Sequence, residues 1–248
     1  MQKVLACKLK LSKLMKAIFQ AVSLQLLSMK HRNSYFSLGI MLFVFIVGCI
    51  ILFIEDFKVE NFHSLQKIFN QAFIMAPILI FSTPTESGLL KKWKSLGLNR
   101  EEIFHKLILK VIIVSSIYYL LYMFFNFIYY LLKPGIYPYM QYLFEAKIIL
   151  TILSTSLFLL LFCLFTRKLG NSLALAYFVL PILFQLIFYF FGKILQFDWF
   201  IALSPLGIMY ELLTNNLFID NWIVYLSLGC QIFIFTFLIN WRVKKMDL

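Results

Sequence analysis

LILKVIIVSSIYYLLYMFFNFIYYLL, residues 107–132, carries one charged side chain, Lys110 near its start, and none after it. A helix needs about 20 mostly apolar residues to cross roughly 30 Å of hydrocarbon, so this stretch reads as a membrane span. Five other runs have the same character: about Tyr35–Ile54, Leu65–Pro84, Ala146–Thr166, Asn171–Phe191 and Asn221–Trp241. The expected fold is therefore an all-α integral membrane protein with six transmembrane helices. Composition agrees. The 248 residues are 62% hydrophobic and 14% charged, with a mean hydropathy of +0.88, whereas a soluble domain carries about 25% charged residues. An ordinary globular enzyme and a disordered chain are both excluded.

Charge sorting sets the expected orientation. Lys3, Lys8, Lys10, Lys13, Lys16, Lys30 and Arg32 precede the first span. Lys91, Lys92, Lys94, Arg100, Lys106 and Lys110 occupy the loop between the second and third spans and its flanks. Arg167 and Lys168 follow the fourth span, and Arg242, Lys244 and Lys245 close the chain. Only Lys58, Lys67, Lys133, Lys147 and Lys193 fall on the opposite side. Basic residues stay cytoplasmic, so both termini are expected inside. The net charge of +12, which suggests nucleic acid in a soluble chain, here reports sidedness, and no nucleic-acid partner is expected.

The span centres hold only neutral polar groups: Asn70, Gln71, Asn126, Ser154, Thr155, Ser156, Gln185 and Gln231. A proton-coupled transporter ordinarily needs a carboxylate or histidine at mid-depth, so energy is expected from outside the membrane. The Glu101-Glu102 pair matches half of the motif of a paired-glutamate membrane protease. The later histidines such a site requires are missing, because His31 and His63 precede the pair. No Walker A, HExxH or GxSxG pattern occurs. Cys7, Cys49, Cys163 and Cys230 share no metal-ligand spacing. No catalytic residue, cofactor or metal is expected.

Two cytoplasmic segments carry more information. From Leu11 through Leu14, Met15, Ile18, Phe19 and Val22, apolar residues recur at helical spacing beside Lys10, Lys13 and Lys16. This describes an interfacial helix on the bilayer surface, although packing on a soluble partner satisfies the same pattern. Residues 1–33 form this amino-terminal unit, and residues 34–248 the six-helix domain. In the second segment, Leu89, Leu90, Trp93 and Leu96 share one face of a short helix, with Lys91, Lys92 and Lys94 around the rest. Gly97 is placed to end it, and Asn99 with Glu102 forms a capping box for the next helix. The expectation is a short helix with an exposed apolar face, suited to protein contact. A solvated basic loop that only fixes orientation is the alternative. Beyond the fifth span, the apolar segment 192–220 contains Ser204-Pro205, where a break would divide two half-helices in an outer hairpin. An outer-leaflet interfacial segment fits the same residues.

In order, Glu86, Gly88, Leu90, Asn99, Arg100, Glu101, Ile103 and Lys106 or Lys110, followed by Ser204-Pro205 and the tail Arg242-Val-Lys-Lys-Met-Asp247-Leu248, resemble the permease subunits of ABC-2 type ATP-binding-cassette exporters. The segment after Gly97 departs from that family's usual Thr-Pro or Ser-Arg wording. The resemblance implies an amino-terminal elbow helix, a cytoplasmic coupling helix after the second span and a re-entrant outer hairpin at Ser204-Pro205. It implies separate cytoplasmic ATPase subunits docked on Glu86, Gly88, Leu89, Leu90, Trp93, Leu96, Gly97, Asn99 and Glu102. A second permease subunit would complete the pathway in the plasma membrane of a bacterium. The expected cargo is hydrophobic or amphipathic: a peptide, an antibiotic or a lipid. A membrane binding or assembly module, or a peptide-sequestering immunity protein, is the alternative class.

Overall fold

The computed structural model describes residues 32–52, 77, 79–82, 88–132, 146–166, 190, 194 and 221–246. Among the described residues the secondary structure is helical, in five elements: α1 (Arg32–Leu52), α2 (Leu89–Ser95), α3 (Arg100–Leu132), α4 (Ala146–Thr166) and α5 (Asn221–Lys245). Residues 77 and 79–82 are also helical. Three helices are long and apolar enough to cross a membrane, over Arg100–Phe125, Ile148–Thr166 and Val224–Lys245. A shorter apolar stretch, Gly39–Ile50, lies in α1. The expected first, third, fourth and sixth spans thus correspond to α1, α3, α4 and α5. The amino-terminal interfacial helix, nearly all of the second and fifth spans, and Ser204-Pro205 lie outside the described residues.

Among the described helices α4 is the innermost. Of its apolar window 67% is buried against protein, compared with 39% for α3 and 28% for α5. It packs against both α3 and α5, while α1 and α2 pack on α3. Leu157, Leu159, Leu160, Leu161 and Leu164 supply the α4 side of this core. Ile103, Leu107, Val111, Val114, Tyr118, Tyr122 and Phe125 recur every three or four residues on α3, so one face of that helix stays buried along most of its length. In a bilayer the lipid is as apolar as this core, and close packing with interhelical hydrogen bonds holds the helices together. Ser154 Oγ donates to Gln231 Oε1 at 2.8 Å, and Gln231 Nε2 donates to Ser227 Oγ at 3.2 Å. All three residues are buried, so the ladder fixes the register of α4 against α5. The bond that crosses between the helices, Ser154–Gln231, contributes about 0.6–2 kcal/mol in membrane proteins. Two of the neutral polar span residues, Ser154 and Gln231, therefore act as interhelical fasteners.

Contacts near the helix ends set the relative directions. Arg100, the first residue of α3, donates to the backbone carbonyl of Lys244 and, from Nη2, to that of Met246 at 3.4 Å. Arg242 Nε donates to Leu164 O at 3.4 Å. Helices α4 and α5 thus end where α3 begins; they run parallel to each other and antiparallel to α3. Ser37 and Tyr118 share a hydrogen bond, and eight residues further along α1 the ring of Phe45 stacks on Phe125 at 4.1 Å. Helix α1 therefore runs in the same direction as α3. Helix α5 continues to Lys245, past the expected end of its apolar run, and Arg242, Lys244 and Lys245 lie in its last turn. Cations are favourable at that carbonyl-rich end.

Candidate docking helix

Two glycines bracket α2. Gly88 precedes it at φ 68° and Gly97 follows it at φ 85°, a left-handed conformation that glycine adopts without the Cβ penalty. Lys92 N–H donates to Gly88 O at 3.0 Å. At the other end Gly97 N–H donates to Lys94 O at 3.0 Å and Leu98 N–H to Trp93 O at 3.2 Å, the bond pair of a Schellman stop. The expected capping box is also present. Glu102 N–H donates to Asn99 Oδ1 at 2.8 Å, and Asn99 N–H to Glu102 Oε2 at 2.8 Å. A stopped helix and a capped one thus meet within the four residues 96–99, a tight and well-determined corner.

A Cβ added at Gly97 meets no atom within 4 Å, so only the backbone opposes substitution. Gly97→Ala is expected to weaken the corner by about 1–2 kcal/mol, and Gly97→Asn by less. Amide hydrogen exchange of residues 96–99 checks this: faster in the alanine variant, close to wild type in the asparagine variant.

The apolar stripe of α2 differs from its expected role. Leu90 is only 3% exposed and belongs to the same core as Ile103 and Leu107. Leu89 and Trp93 are half-buried, and Lys106 Nζ sits 5.4 Å from the centre of the Trp93 ring. The stripe is turned inward onto α3, because burying it against the protein's own core satisfies it without a partner. Leu96 alone departs, at 69% exposure. Lys91, Lys92, Lys94 and Ser95 are exposed beside it. The surface α2 offers is therefore one leucine among lysines. Glu86 lies outside the described residues.

Two further residues complete the frame. Arg100 ties the start of α3 to the end of α5, as described above. Lys110 is 4% exposed, and its ammonium donates to Ile80 O at 3.0 Å. By its position ahead of the third span Lys110 is expected among the cytoplasmic flank residues; the structure buries it on α3 against the helical residues 79–82. A signal was available, since Lys110 falls three residues after Leu107 and four before Val114, on the stripe that packs. A lysine on a buried stripe must find an acceptor, and a backbone carbonyl serves. The assembled site is a short helix docked on the base of α3, joined through α3 to residue 80 and to the end of α5.

No group of three His, Cys, Asp or Glu side chains among the described residues is arranged to hold a metal ion. The described residues around α2 form a rigid corner with one exposed face. The chain matches no family model and no curated protein.

Proposed function

We propose that this protein is the membrane-spanning subunit of an ABC-2 type exporter, with α2 as the helix on which a separate ATPase subunit docks. The observation that carries the reading is the α2 corner. A seven-residue helix, stopped by Gly97 and packed onto α3 through Leu90 and Trp93, with the start of α3 itself capped by the Asn99–Glu102 box, suits a part that receives a push and passes it on rigidly. Leu96 and the exposed lysines form the contact, while Leu90 and Trp93 connect it to the bundle. The six-span topology is supported by the parallel pairs α1/α3 and α4/α5. In each pair, the chain between the two helices must return across the membrane, as second and fifth spans would do. Charge sorting supports a cytoplasmic location for the α2 end and both termini.

Two such subunits pair around a pathway for a hydrophobic or amphipathic cargo, and closure of the ATPases drives the transition. The chain acts as permease and the hydrolysis belongs to its partners. Purifying the tagged chain from the membranes of the cells that make it tests this reading. A protein with a Walker A motif and no spans is expected to accompany it. Leu96→Glu is expected to lower that recovery at least tenfold while leaving the amount of folded permease unchanged. If the ATP-binding protein is absent, or is retained in full by Leu96→Glu, docking through α2 is wrong.

A further inference from the structure

The end of the bundle where α3 begins gathers cations from two separate parts of the chain. Arg242, Lys244 and Lys245 close α5, and the bonds from Arg100 to the carbonyls of Lys244 and Met246 bring that turn against the start of α3. Aromatic rings sit at the same level. Lys245 Nζ lies 4.5 Å from the Trp241 ring centre, Arg242 Cζ lies 4.6 Å from that of Phe165, and Lys106 Nζ lies over Trp93. Trp241 is 41% exposed, and Lys244 and Lys245 are exposed. Tryptophan prefers the boundary between hydrocarbon and headgroups, and lysine keeps its charge in the polar layer while its stem lies along apolar surface. The cations therefore sit at the depth of lipid phosphates. Of the acids nearby, Glu102 is engaged in the capping box, Glu101 is exposed in the first turn of α3, and Asp247 lies outside the described residues.

We propose that this collar, centred on Lys244 and Lys245, holds the headgroup of an anionic phospholipid. The phosphate takes hydrogen bonds from the two ammonium groups, and the Trp241 ring lies along the upper acyl chains. The two lysines belong to α5 and not to α2, and the proposal does not depend on an ATPase partner. Position favours lipid over an acidic protein: the paired aromatic rings place these cations within the headgroup layer.

Native mass spectrometry of the purified full chain tests the proposal, using equal amounts of phosphatidylglycerol and phosphatidylcholine. Wild type is expected to retain phosphatidylglycerol preferentially, and less so as salt screens the charges. Lys244→Gln with Lys245→Gln is expected to lower that preference by about tenfold or more, whereas the corresponding arginine pair keeps it. Helix content by circular dichroism shows whether each variant is folded. Equal retention of the two lipids by wild type overturns the proposal, as does an unchanged preference in the folded glutamine pair.

Discussion

Leu90→Glu will undock α2 while leaving the helices beneath it in place. Losing the buried leucine costs about 2–5 kcal/mol, and a carboxylate left without a partner in an apolar site adds a desolvation penalty of several kcal/mol. The α2 corner need not bear that load, because it can release as a unit and put the glutamate in water. The observed loss is then limited to the free energy that holds α2 down. Local openings of this kind appear in amide exchange before the whole fold responds. Residues 89–99 are expected to lose most of their protection, by about a hundredfold or more, while the α4–α5 ladder at Ser154 and Gln231 keeps its own. Leu96→Glu, at a 69% exposed position, is expected to leave exchange throughout the corner near wild type. The two glutamates thus separate a structural leucine in α2 from a contact leucine six residues on, at its C-cap. Equal protection loss in both variants would contradict the burial difference.

The second large effect concerns Lys110, where charge and shape can be varied separately. Lys110→Met keeps the long unbranched stem and removes the buried charge. Its hydrogen-bond acceptor is the Ile80 carbonyl, so no carboxylate is orphaned, and the penalty is one lost hydrogen bond of about 1.5–3 kcal/mol. Relief from desolving the ammonium offsets much of this, so the folded state is expected to persist close to wild-type stability. Lys110→Glu aims an anion at the Ile80 carbonyl oxygen instead. Nothing on the described elements around it compensates, and the loss is expected to reach about 3–5 kcal/mol. Fluorescence-detected size exclusion after heating distinguishes the cases. The methionine variant should melt near wild type, and the glutamate variant should aggregate well below it. If both variants melt alike, Lys110 is not buried against residues 79–82.

These two residues also mark where sequence reading reaches its limit. Apolar length alone located α3, α4 and α5, because crossing hydrocarbon imposes a length that no packing detail changes, and the apolar run before them falls on helix α1. The Gly97 stop and the Asn99–Glu102 box were legible for a similar reason: each is completed within a few residues of backbone, without help from elsewhere. Which side of α2 faces inward was not legible. It depends on where α3 presents Ile103 and Leu107, a tertiary fact, and so the stripe read as exposed turned out to be covered. Lys110 was assigned by its distance from the span end, whereas its place on the α3 stripe decides its burial. The Arg100 bonds to Lys244 and Met246 join positions more than 140 residues apart and have no local signature at all.

A photo-crosslinking amino acid placed at position 96 tests the central claim most directly, with positions 90 and 233 as controls. Leu90 faces the core, and Phe233, 74% exposed on α5, lies midway along its apolar window, where lipid is the expected neighbour. Irradiation of intact cells is expected to join the chain to a protein bearing a Walker A motif from position 96 alone. No such adduct from position 96, or equal adducts from position 233, would contradict the assignment of α2 as the point where the motor attaches.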